Sequence, residues 1–293
     1  MAAGGTSIPL LCTTEWLAEK LQKNVPNLVI LHCSWDEEAD DYYEQRIPGA
    51  KLFNGALCQD RKSTYKNMFP SAKKFSRCMT RMGITNEDHV ICYNVDDGSP
   101  CSEAACRIWA TFRYFSHDKC SVLDGGLFKW VQEGRPTQGL KIDNHKNFIA
   151  TPRQDFLVDY EEVLDNLSRE DGDPNRKLIV DARDPDVYAG HRPFHDVKGG
   201  HIAGVVNVPS VGAMVRGTHA FKAVEELRAF FATAGVDVER GFVASCGTGR
   251  KASALVFAAA LCGGADNVRL YDGSYYEFAK RGPEELLRQG PTP

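Results

Sequence analysis

Residues 241–262 read GFVASCGTGRKASALVFAAALC. The opening GFVAS is a short apolar run of the kind that forms a buried strand, and ALVFAAALC is rich in alanine, the strongest helix former. Between them CGTGRKAS (246–253) carries the chain from the carboxyl end of a strand into the amino end of a helix. An open α/β sheet places its ligand at such a point. Backbone N–H groups of residues 247–251 can converge there on a negative charge, and the helix dipole adds to them. Both effects predict a lowered thiol pKa for Cys246. Gly247 and Gly249, with Thr248 between them, permit the backbone of a tight cradle. Arg250 and Lys251 add two cations with no evident packing reason. The stretch suits a thiolate and an anionic substrate, with Cys246 as its nucleophile.

The elements around this stretch occur twice, at an offset of about 150 residues. TTEWLAEKL (13–21) and NLVILH (27–32) correspond to VDYEEVLDNL (158–167) and KLIVDA (177–182). RIPGAKLFN (46–54) matches HIAGVVNVP (201–209), and VLDGGLFKW (122–130) matches LYDGSYYEF (270–278). Each half alternates short apolar runs, such as HVICY or LIVDA, with helical patterns, which predicts buried strands of a mainly parallel sheet flanked by helices. Ser71 caps AKKFSRCMTRM and Gly83 stops it, while FKAVEELRAFFATA ends at Gly235. The reading is a duplicated α/β unit: a first domain at 8–138, a linker at 139–156 with the boundary near 145, and a second domain at 157–293.

Composition narrows the function. The chain has 293 residues and a formal net charge of −4 with no long run of one sign, so no nucleic acid or anionic membrane is expected as a partner. No apolar run approaches the roughly 20 residues that span a bilayer. Ten cysteines are scattered without CxxC pairs, which fits reduced thiols in the cytoplasm or an organelle. Nine of them read as small buried hydrophobes, and only Cys246 has a reactive context.

With these residues in place, the chain resembles the tandem rhodanese family, which includes thiosulfate and 3-mercaptopyruvate sulfurtransferases. RIPGA and HIAGV stand as its two HIPGA-like motifs, and DAR (181–183) and CGTG as marks of the catalytic copy. LDGG and YDGS stand as the signatures that end each domain. The resemblance implies a silent first copy, with Asn94 where the second has Cys246, and a ping-pong transfer through a Cys246 persulfide. It also implies a small anionic sulfur donor, an acceptor among cyanide, small thiols and thioredoxin, no metal or organic cofactor, and a cytoplasmic or mitochondrial location. Gly247, Thr248, Gly249, Arg250, Lys251, Arg183 and Arg192 become the candidate substrate-binding residues.

Departures from the family bear on the donor. Mercaptopyruvate enzymes have hydroxyl-bearing loops without cations, whereas tandem thiosulfate enzymes carry cations beside the cysteine. Here the carboxylate-binding arginine of the first group falls on Val187, and its first-domain Asp and His fall on Ala56 and Asn67. Arg192 aligns with or replaces its second substrate arginine. A dianion gives two cations more charge to neutralise, which favours thiosulfate. Arg183 more often makes a structural salt bridge, His201 resembles a structural histidine, and Arg46 is expected to order the domain interface. Tyr271, Tyr275, Tyr276 and Phe278 read as helix packing. A cysteine-dependent phosphatase of the same fold needs an arginine where this chain has Ala252. A partner-dependent sulfur relay and a non-enzymatic binding module are the alternatives.

Overall fold

The computed structural model describes residues 8–35, 45–94, 103–138, 148–170, 172–216, 218 and 220–290. Residues 139–147 of the linker and Cys101 lie outside them.

In the first half, β1 (Leu11–Cys12), β2 (Leu28–Ser34), β3 (Lys51–Asn54), β4 (His89–Asn94) and β5 (Cys120–Leu123) form a sheet in the order β1-β5-β4-β2-β3. In the second half, β6 (Leu157–Val158), β7 (Leu178–Asp181), β9 (Val206–Asn207), β10 (Phe242–Ser245) and β11 (Arg269–Tyr271) repeat it as β6-β11-β10-β7-β9. Each neighbouring pair in both sheets is parallel. β8 (His201–Ile202) pairs separately and antiparallel with β12 (Leu287–Arg288). The duplicated fold read from the sequence is therefore present, and β4 and β10 occupy the same central place. Apart from half-buried His89 at the start of β4, their side chains are buried, as strands covered by helices on both faces require.

Local signals set the helix ends. Ser71 Oγ accepts from Lys74 N at the start of the helix Ala72–Arg81, and Gly83 beyond its end has φ +66°. Asp159 and Glu162 form a capping box on the helix Tyr160–Ser168. The helix Val224–Thr233 begins later than the periodicity of FKAVEELRAFFATA suggested, because Phe221 is held in a bridge to Met214.

The alanine-rich helices Glu103–Tyr114 and Arg250–Leu261 pack against each other between the halves. Ala252–Ala260 is buried throughout, since that stretch is covered by its own sheet and by the opposite helix. Small side chains allow the close approach, and Trp109 meets Phe257 edge-on at 4.8 Å. The contact has an approximate two-fold sense. Phe69 N donates to Asp272 Oδ2 at 2.6 Å, and Phe221 N donates to Asp124 Oδ1 at 2.9 Å. Each domain-ending signature, LDGG or YDGS, thus supplies an aspartate to the other half. Behind this, buried Arg107 pairs with Asp272, donates to Asn67 O and lies 3.8 Å above the Phe69 ring.

Among the described residues, no helix is long and apolar enough to cross a membrane.

Candidate functional site

Cys246 follows the last residue of β10 and precedes the helix Arg250–Leu261. Its N–H donates to Ser274 Oγ at 3.1 Å, which fixes the turn from strand to loop. Ser274 holds φ +52° in the YDGS signature, at the position matched by Gly126 (φ +54°) in the first half. A Cβ at Gly247 would lie 2.1 Å from the Phe194 ring, which would have to move to admit it. Gly249 is required twice over: its φ is +80°, and a Cβ would meet Arg107 Nη1 at 2.8 Å.

The sulfur accepts hydrogen bonds from the backbone N–H groups of Ala252 and Thr248. The expected lowering of the thiol pKa does not result. Burial pushes the Cys246 thiol above its ordinary value, and the Asp181 and Glu103 carboxylates push the same way against the two N–H donors. Loss of water around the thiolate outweighs the cradle.

The cations of the loop are not bare. Lys251 Nζ lies 2.9 Å from Asp184 Oδ1 and 4.0 Å from Glu103 Oε1. Arg250 Nη2 lies 3.9 Å from Glu103 Oε2, and its guanidinium sits over the Trp35 ring at 5.4 Å. Arg192 is exposed and pairs with Asp184 at 3.0 Å and with Asp186 at 3.1 Å. Asp184 therefore holds Lys251 and Arg192 side by side, so the structure brings Arg192 to the loop. The cations have a structural reason after all, because they balance carboxylates from both halves.

Arg183 is a different case. It is buried in a two-point pair with Asp181 (Nε to Oδ1 3.0 Å, Nη2 to Oδ2 2.7 Å), donates to Gly200 O at 2.9 Å and stacks on Tyr275 at 4.1 Å. The geometry is that of a structural ion pair. His201 stacks on Tyr188 at 3.9 Å with Nδ1 3.1 Å from Tyr188 O, and burial holds its pKa below the usual value. Arg46 is buried in the first half, where its carbonyl accepts from Gln138 N and its charge bears on His32. Both of these contacts lie within the first half. Tyr271, Tyr275, Tyr276 and Phe278 are all buried, as packing requires. Ala252, where a phosphatase needs its arginine, is buried against the sulfur. Val187 is buried in the short helix Pro185–Tyr188. Asn94 is buried, and its Oδ1 accepts from Ala105 N at 2.8 Å.

Three residues of the first half reach the loop without having been assigned a role from sequence. Asn67 Nδ2 donates to Thr248 Oγ1 at 2.8 Å, while Trp35 Nε1 donates to Asn67 Oδ1 at 2.8 Å. Glu103 supplies the carboxylate between Arg250 and Lys251. Asn67 had been noted only as a departure at a family position, which was the one available signal. Among the described residues, no group of three or more His, Cys, Asp or Glu side chains could hold a metal.

Comparison with known proteins agrees with this architecture. A family model described as a rhodanese-like domain matches residues 13–133 and again 159–281. Thiosulfate sulfurtransferase of Bos taurus is 37% identical over 286 residues, covering 94% of this chain and 93% of the relative. The 3-mercaptopyruvate sulfurtransferase of Homo sapiens is 33% identical over 298 residues, covering 96% and 97%. The crystal structure of the 3-mercaptopyruvate sulfotransferase SseA from Escherichia coli superposes with a TM-score of 0.77 at 28% identity, covering 91% of this chain and 98% of that one.

Proposed function

The chain belongs to the rhodanese family, with the domain in two tandem copies, and from that premise we propose a sulfurtransferase in which Cys246 carries the transferred sulfur. The observation that carries this reading is the Cys246 sulfur held by the N–H groups of Thr248 and Ala252, with Arg250 and Lys251 on the first turn of the helix.

The Cys246 thiolate attacks the outer sulfur of thiosulfate, the S–S bond breaks, and sulfite leaves with the bonding pair. The negative charge then rests on the outer sulfur of Cys246–S–S⁻, which the loop N–H groups stabilise as they would an oxyanion. Cyanide, a small thiol or thioredoxin attacks that sulfur and restores the Cys246 thiolate. Lys251, Arg250 and Arg192 offset the donor's charge, and Asp184 fixes where two of them stand. Thiosulfate is favoured over 3-mercaptopyruvate because the position of the mercaptopyruvate group's carboxylate-binding arginine is taken by Val187, which is buried and apolar. Asn94 of the first copy cannot hold a sulfane sulfur, and its side chain is committed to Ala105 N.

The test is sulfur transfer to cyanide with thiosulfate and with 3-mercaptopyruvate, for the native chain and for Cys246→Ser. Thiocyanate forms with the native chain, faster from thiosulfate, and the variant forms none. A folded, reduced native chain that is inactive with both donors overturns the reading.

A further inference from the structure

Lys66 of the first half meets His195 of the second, Nζ to Nδ1 at 3.2 Å. An ammonium can only donate, so Nδ1 accepts and the proton of a neutral ring sits on Nε2. Burial first, and then the Lys66 charge, holds the His195 pKa below its ordinary value, which keeps the ring neutral at pH 7. Both residues are exposed, and each stands one position from a contact with the Cys246 loop. Asn67, next to Lys66, donates to Thr248 Oγ1. The Phe194 ring, next to His195, fills the space beside Gly247 and meets the imidazole edge-on at 4.5 Å. Tyr276 completes this rim. Its N–H donates to Gly247 O at 3.0 Å, its ring meets His195 edge-on at 5.6 Å, and Lys66 Nζ lies 5.7 Å from the ring centre.

Charge sets Lys66 apart from the other cations at the loop. Lys251 and Arg192 are held by Asp184, and Arg250 faces Glu103. Asp196, whose charge bears on His195, is engaged by Lys280 Nζ at 3.0 Å and by Tyr276 Oη at 2.8 Å. Among the described residues, no carboxylate pairs with Lys66, whose contacts are the His195 nitrogen and the Tyr276 face. The ammonium keeps two N–H groups beyond the one given to Nδ1, and His195 adds Nε2–H. We propose that Lys66 and His195 are a donor-binding pair at the rim of the loop, which takes the oxygens of a thiosulfate-class donor. The proposal rests on the reading of Cys246 as the residue that receives sulfur from an anionic donor. Lys66 supplies the charge that the loop cations have already given to carboxylates. A Coulomb energy scales with the charge of the ligand, so loss of this cation weakens a dianion by the square of the factor for a monoanion.

The test reads binding without turnover, in the full-length chain carrying Cys246→Ser. The His195 ring signals are identified by their loss in His195→Gln and followed by NMR as donor is added. The donors are thiosulfate and methanethiosulfonate, in which a methyl group replaces one oxygen and one charge. Thiosulfate should shift the His195 signals to saturation. Adding Lys66→Gln should weaken thiosulfate about tenfold and methanethiosulfonate about threefold, and Lys66→Arg should restore most of both. With Cys246 in place, Lys66→Gln should raise KM for thiosulfate and leave kcat near native, a split that a merely structural role would not give. Equal thiosulfate affinity with and without Lys66 overturns the proposal, and so does an equal loss for the two donors. Binding that depends on Lys66 in a chain that forms no thiocyanate when Cys246 is present upholds this site and refutes the sulfurtransferase reading instead.

Discussion

Asn67 Nδ2 lies 2.8 Å from Thr248 Oγ1, so a side chain of the first half holds the loop of the second. The same amide oxygen accepts from the Trp35 indole, which leaves Asn67 with one orientation that satisfies both partners. Its φ of +59° suits asparagine, and the cleanest removal is Asn67→Gly, which keeps that backbone without strain. One such hydrogen bond is worth about 1 kcal/mol, and stranded partners add to the loss. Asn67→Gly should lower kcat/KM roughly tenfold, the fold-change that corresponds to about 1.4 kcal/mol. Thr248→Val should cost a similar factor, and the double variant should cost little more than either alone. Independent, multiplying effects would show that the contact does not order the loop.

The raised thiol pKa of Cys246 gives a second prediction. Burial is its main cause, and Glu103 adds to it from the first half. Alkylation of Cys246 by iodoacetamide should keep accelerating as pH rises past the ordinary thiol value of 9.0, because the neutral thiol is the form that burial favours. Glu103→Gln removes a carboxylate that opposes the thiolate and should move the profile to lower pH. The same change leaves Arg250 and Lys251 less neutralised, so kcat/KM for thiosulfate should rise. Asp181 is the poorer target, since its loss strands buried Arg183. An alkylation profile identical to that of the native chain would remove Glu103 from the account.

Much of this was legible in the sequence, for a physical reason. Buried parallel strands require apolar runs, caps require particular residues, and a duplicated sheet repeats both in order, so VLDGGLFKW and LYDGSYYEF mark the matching strands β5 and β11 of the two halves. The strand-to-helix loop at Cys246 was equally local. What stayed hidden was contributed across the interface. Trp35, Asn67 and Glu103 approach the loop because the helices Glu103–Tyr114 and Arg250–Leu261 pack together, and no periodicity states which faces will meet. The direction of the Cys246 shift was missed for the same reason. A loop sequence shows its own N–H donors and cations, but not the burial and the distant carboxylates that outweigh them.

Arg107 and Asp272 predict a stability effect confined to the interface. Both are buried, and Asp272 also accepts from Phe69 N. Arg107→Ala leaves a carboxylate buried without its cation and should destabilise the protein by about 3–5 kcal/mol at neutral pH. Burial already raises the Asp272 pKa, and Arg107 restrains that rise. In the variant the carboxyl protonates more readily in the folded state than in the unfolded chain, so stability should recover as pH is lowered. Urea unfolding at pH 8 and pH 5 measures this. A defect of equal size at both values would mean that lost packing against Phe69, not the stranded charge, is the cause.

His32 supplies the opposite pH dependence. It is fully buried in β2 with Nδ1 2.9 Å from Tyr93 Oη, and burial followed by the nearby Arg46 charge lowers its pKa from 6.5 to about 4. The folded state therefore keeps His32 neutral while the unfolded chain takes up a proton below 6.5. Stability from this group is complete above that value, declines as pH falls, and stops declining below the folded value. By pH 5 the loss should be about 2 kcal/mol. His32→Gln cannot titrate, so its urea midpoint, lower than native at pH 7, should fall less between pH 7 and pH 5. Parallel declines in the two proteins would assign the acid sensitivity to other groups, with His89, also lowered to about 4 by burial, as the next to replace.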